Sequence, residues 1–74
     1  MEKFYKLNSK GVSCYYRNED MKKIPLDHLI VLEGEVGYDS GRAIYLVYSS
    51  ENNRLKDYYF EDCLDEVFKR KLDY

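Results

Sequence analysis

Short apolar runs of strand length, separated by polar stretches with Gly, Asn or Asp, recur along most of this chain. Residues 3–8 have this character. Ser9-Lys10-Gly11 is a turn signal, and residues 12–16 follow as a second strand. Val12, Cys14 and Tyr16 share one face there, with Ser13 and Tyr15 on the other. Two such runs joined by a short Gly-containing link predict a hairpin. Residues 17–27 are polar and Pro25 disfavours a helix just before it. They predict a loop, with a short extended piece at 23–26.

The strongest strand signal begins at His28. Residues 28–37 contain Leu29-Ile30-Val31-Leu32, apolar on both faces, and then alternate. Gly37-Tyr38-Asp39-Ser40-Gly41 is the clearest turn. The next strand, 42–50, sets Ala43, Tyr45 and Val47 on one face and Ile44, Leu46 and Tyr48 on the other. Such a strand asks for cover on both sides. A turn at 51–54 leads into a strand at 55–60.

The period then changes. Cys63, Leu64, Val67, Phe68 and Leu72 follow helical spacing, which predicts a helix over 61–73. Asp62 is placed to cap it. Acids crowd its start and Lys69, Arg70 and Lys71 its end, as the helix dipole favours. Leu64, Val67 and Phe68 would then dock on the sheet.

The predicted fold is α+β and a single domain over 1–74: a four- to five-stranded antiparallel meander sheet with one C-terminal helix packed on it. Strong curling would make the sheet a small SH3-like barrel. The doubly apolar strand 42–50 is covered either by that closure or by a second chain, and the reading favours a symmetric homodimer.

Composition narrows the function. At 74 residues, the chain buries only about 60% of its unfolded surface, so deep enclosed substrate cavities are not expected. Twelve basic against fourteen acidic residues give a net charge of −2. That balance does not favour nucleic acid, which calls for a basic stripe. No apolar run is long enough to span a bilayer and no leader is expected. Two cysteines are too few for a disulfide scaffold, so reduced thiols and a cytoplasmic setting are expected. A single Ala and a single Pro beside nine Tyr associate the chain with a low-GC bacterium or its phage.

Catalytic chemistry has little to build on. His28 is the one histidine, and Cys14 or Cys63 would have to meet it to form a nucleophile–base pair. Both cysteines fall on apolar faces and are expected to serve as small, dispensable hydrophobes. The spacing of Cys and His does not make a zinc site, and Glu33, Glu35 and Asp39 lack the calcium-loop pattern. Gly34, Gly37 and Gly41 follow turn needs and not a phosphate-binding motif. No catalytic residue, cofactor or metal is assigned, and an enzyme is not expected.

The nine tyrosines point towards binding. Tyr58 and Tyr59, with Asp57, Glu61, Asp62, Asp65 and Glu66, predict an acidic, tyrosine-anchored surface for a partner protein. The expected role is a small accessory or regulatory module, of the kind a phage or mobile element uses as an inhibitor. The alternative is a nucleic-acid-binding small β-barrel that uses exposed aromatics with Lys3, Lys6, Lys10, Arg17, Lys22 and Lys23. Met1–Lys23 carries six basic against three acidic residues, and the remainder six against eleven.

Overall fold

A computed structural model describes residues 3–68. It contains an antiparallel five-stranded sheet and, among the described residues, one α-helix. The strands are β1 (Phe4–Leu7), β2 (Ile30–Asp39), β3 (Arg42–Ser49), β4 (Lys56–Phe60) and β5 (Leu64–Val67), and the helix is α1 (Ser9–Arg17). The spatial order is β4-β3-β2-β1-β5. Four of the strands overlap 3–8, 28–37, 42–50 and 55–60.

The strand expected at 12–16 is instead α1. Its start is fixed by Asn8, whose side-chain oxygen accepts from the Gly11 N–H at 3.1 Å while its carbonyl accepts from Val12 N at 2.9 Å. The first bond satisfies one of the orphan donors of the first helical turn, and the second is the helix's first intrahelical bond. Gly11 is buried, and Cys14 and Tyr15 are half-buried beside it on the same stripe. Three alternating residues fit this 3.6-residue period as well as the period of two, and the Asn8 cap decides between them.

The helix expected at 61–73 is not formed in its described part. Glu61–Cys63 makes one 3-10 turn and Leu64–Val67 continues as β5. β5 pairs along β1 with Phe4 opposite Val67, Tyr5 opposite Glu66, Lys6 opposite Asp65 and Leu7 opposite Leu64. The free edge of β1 supplies a hydrogen-bonding partner, which outweighs a weak local helical preference. Leu64 packs against the core, but Phe68 is 82% exposed and does not dock. Positions 69–73 of that expected helix lie outside the described residues.

The core is Ile24, Ile30, Val47 and Tyr59, ringed by Tyr5, Leu7, Leu32, Tyr45, Leu55 and Leu64. Ile24 arrives from the loop side: after a 3-10 turn at Glu19–Met21, the chain drops this side chain into the centre at 2% exposure. Burial of that size is worth about 1.5–3 kcal/mol, which explains why the loop is not detached.

β2 and β3 form a long hairpin with a two-residue tip. Ser40 and Gly41 both have positive φ, 54° and 77°, the conformation that matches the right-handed twist of paired strands. The ladder shifts register between Leu32 and Gly34 and again between Glu35 and Gly37. Glu33 and Val36 are the extra residues of these bulges. The consequence is that Glu35 lies opposite Tyr45, and Tyr38 opposite Ala43.

Candidate protein-binding surface

The expected acidic tyrosine surface is divided by the fold. Asp57 and Tyr59 point inward from β4 at 3% and 1% exposure, and Tyr58 between them points outward at 54%. Asp57 Oδ1 accepts from Tyr58 N at 2.9 Å, but Oδ2 has no hydrogen-bond partner among the described residues. Burial pushes the Asp57 carboxyl up; hydrogen bonding from the Tyr58 and Lys23 backbone and the Lys23 charge pull less strongly the other way. Tyr59 is pushed up too, first by its burial and then by Asp57.

Asp62 is engaged by Arg42, whose Nε and Nη2 donate to its two oxygens at 2.8 and 2.7 Å. The Arg42 guanidinium also lies 3.8 Å from the centre of the Phe60 ring. This forked hydrogen bonding holds Asp62 below the usual carboxylate range. Asp65 and Glu66 belong to β5, at the opposite edge of the sheet from β4. Of the seven expected residues, Tyr58, Glu61, Asp62 and Asp65 are exposed, and among the described residues no Lys or Arg pairs with Glu61.

Around Glu61 the fold assembles a different cluster. The Tyr45 hydroxyl donates to Glu61 Oε2 at 3.1 Å, and the Tyr38 hydroxyl donates to Glu35 Oε1 at 3.3 Å. The register places Glu35, Tyr45 and Tyr38 on one face of the hairpin. Both phenols are pushed up, first by these hydrogen bonds. The Glu61 charge also bears on Tyr38 and the Glu35 charge on Tyr45, so the four side chains form one electrostatic unit. Tyr38 is 67% exposed. Among the described residues no Lys or Arg pairs with Glu35 or Glu61: Arg42 is held by Asp62, and Lys56 by Glu33 at 2.8 Å.

Each carboxylate has accepted one phenol and keeps lone pairs for further donors. Glu35, Tyr38 and Tyr45 were not among the residues expected from sequence. Their one sequence signal is alternation on the hairpin, and the two bulges obscure which residues face each other.

The basic residues of the nucleic-acid alternative are spread over several elements. Lys3 precedes β1 and Lys6 lies on it, opposite Asp65. Lys10 and Arg17 lie towards opposite ends of α1. Lys22 sits 5.8 Å from the centre of the Tyr16 ring, and Lys23 bears on Asp57. His28 contacts Ser49 Oγ at 2.9 Å and Glu51 at 3.8 Å. Among the described residues no three His, Cys, Asp or Glu side chains gather to hold a metal ion. No helix there is long and apolar enough to cross a membrane. Comparison with protein families, curated proteins and solved structures finds no match.

Proposed function

We propose that this chain is a small non-catalytic protein-binding module that holds a basic segment of a partner protein against Glu35, Tyr38, Tyr45 and Glu61. The observation that carries the reading is two carboxylates that pair with no Lys or Arg among the described residues, flanked by two tyrosine rings on a hairpin face. A guanidinium fits such a site in two ways: its forked N–H groups match carboxylate oxygens, and its plane stacks on aromatic rings. Tyrosines add contact area and tolerate water when no partner is bound. The module acts as an accessory or regulatory subunit, of the kind a phage or mobile element uses as an inhibitor, in the cytoplasm of its host.

We also propose that the sheet curls into a small SH3-like barrel. β4 and β5 lie at opposite edges yet are joined by three residues, Glu61–Cys63. A flat five-stranded sheet separates its edge strands by about 19 Å, whereas that link reaches at most about 14 Å. Curling encloses the Tyr45 and Val47 face of β3 with Asp57 and Tyr59, and leaves Ile44, Leu46 and Tyr48 on the outside.

Anisotropy of a labelled arginine-rich peptide tests the binding reading. Wild-type protein should bind it with strong salt dependence. Glu35→Gln/Glu61→Gln should weaken binding about tenfold or more, while the charge-matched control Glu19→Gln/Glu51→Gln should not. Equal loss in both variants would leave only net charge as the cause. Tight, salt-dependent binding of a single-stranded oligonucleotide in place of the peptide would replace this reading with the nucleic-acid one.

A further inference from the structure

Cys14 and Cys63 are 49 positions apart in sequence but line the same cleft of about 380 Å³, with Arg17, Asn18, Tyr59 and Phe60. The convergence has a backbone cause. Asn8 N–H donates to the Cys63 carbonyl at 2.9 Å, and the Asn8 side-chain amide to the Asp62 carbonyl at 2.7 Å. Gly11 lies directly against the Cys63 carbonyl. Cys14 follows Gly11 by three residues, on the same face of α1, about one helical turn on. The turn that carries Cys63 is therefore pinned beneath the helix that carries Cys14.

The two thiols differ in access, and each has a guanidinium within reach, that of Arg42 being paired with Asp62. Cys14 is half-exposed at the cleft wall, while Cys63 is buried at 1%. Arg17 Nη2 donates to Cys14 Sγ at 3.3 Å, and Arg42 Nη2 lies 3.9 Å from Cys63 Sγ. Burial pushes the Cys63 thiol up to about 11, and the neighbouring Cys14 adds to that shift.

We propose that this cleft is a thiol-oxidation site at which an anionic low-molecular-weight disulfide of the glutathione class converts Cys14 and Cys63 into an intramolecular disulfide. Cys14, the accessible thiol, attacks one sulfur of the small disulfide. A Cys14–S–S–R bond forms and one RSH leaves, taking the Cys14 proton. Cys63 then attacks the Cys14 sulfur of that adduct. The Cys14–Cys63 bond forms, the second RSH leaves, and the Cys63 proton goes to it through Asp62, whose Oδ1 lies 3.6 Å from the Cys63 sulfur. Two protein thiols are oxidised and one small disulfide is reduced to two thiols. Arg17, at the cleft wall, places positive charge where an anionic disulfide must approach. The new bond ties α1 to the β4–β5 turn and closes a long loop of chain. It does not depend on partner binding at the hairpin.

Incubation of the reduced wild-type protein with glutathione disulfide, followed by intact mass and peptide mapping, tests the site. The expected product has lost two hydrogens, carries no glutathione and links the Cys14 and Cys63 peptides. Its formation should accelerate with rising pH, because the second step needs the Cys63 thiolate. Cys63→Ser should stop at a single glutathione adduct on Cys14, and Cys14→Ser should react at least about tenfold more slowly. Wild type that accumulates one or two stable glutathione adducts, or that does not react while folded by circular dichroism, overturns the proposal.

Discussion

Gly11 faces the carbonyl oxygen of Cys63 so closely that a Cβ on Gly11 would stand 2.6 Å from it and 2.8 Å from Leu7 Cδ2. The contact is where α1 touches the β4–β5 turn. Alanine at this position would gain about 1 kcal/mol of helix propensity. The neighbour in the way is backbone, which cannot rotate aside as a side-chain tip can. Overpacking of this kind costs about 1–3 kcal/mol. Gly11→Ala is therefore expected to lower stability in chemical denaturation, against the propensity gain. A stabilised variant would show that α1 does not seat on the turn.

The hairpin tip offers a change in the opposite direction. Ser40 holds φ 54° ahead of Gly41 at 77°. Asn is favoured over Ser at the first position of such a turn because its short amide tolerates the left-handed region. Ser40→Asn is expected to raise stability by up to about 1 kcal/mol, read as a higher melting temperature with unchanged peptide binding. A lower melting temperature would contradict the two-residue turn.

Asp57 gives the pH dependence its sign. Burial holds its carboxyl above the ordinary range, so the fold disfavours the ionised form. The contribution is fully present below the unfolded value, about pH 4, and is lost as pH rises through the shifted range. Asn at this position does not titrate, and its oxygen can still accept from Tyr58 N. The melting temperature of Asp57→Asn relative to wild type should therefore be more favourable at pH 7 than at pH 3. An offset that is the same at both pH values would contradict the argument.

The proposed curling of the sheet bears on assembly. The core face of β3 is covered within one chain, and Ile44, Leu46 and Tyr48 on its other face are already half-buried, so sedimentation at micromolar concentration should show a monomer. A concentration-dependent dimer would return the second face of β3 to an intermolecular role, as the doubly apolar pattern of 42–50 first suggested.

The apolar runs along residues 28–60 were enough to place three antiparallel strands, because they are long and the turns between them carry Gly, Asp or Asn. The short elements were less legible. Val12-Ser13-Cys14-Tyr15-Tyr16 is compatible with either period, and the deciding cap sits at Asn8, inside what reads as the preceding strand. Leu64-Asp65-Glu66-Val67 carries helical spacing locally, and only the presence of an open β1 edge makes it a strand. The candidate surface was legible in kind, as tyrosines beside acids, but not in place. Burial of Asp57 and Tyr59 depends on which face of β4 turns inward. The meeting of Glu35 with Tyr45 depends on two bulges, and the meeting of Tyr45 with Glu61 on a turn that had been read as helix. The shared cleft of Cys14 and Cys63 has the same origin in long-range contact.

Mapping a basic ligand onto the protein tests the central claim most directly. In a ¹H–¹⁵N NMR titration with a short arginine-rich peptide, the account expects saturable shifts at Glu35, Tyr38, Tyr45 and Glu61, with the exposed control acids Glu19 and Glu51 unmoved. Those shifts should disappear in Glu35→Gln/Glu61→Gln while the rest of the spectrum keeps its dispersion. Shifts scattered over all exposed acids, or centred away from the hairpin, would contradict it.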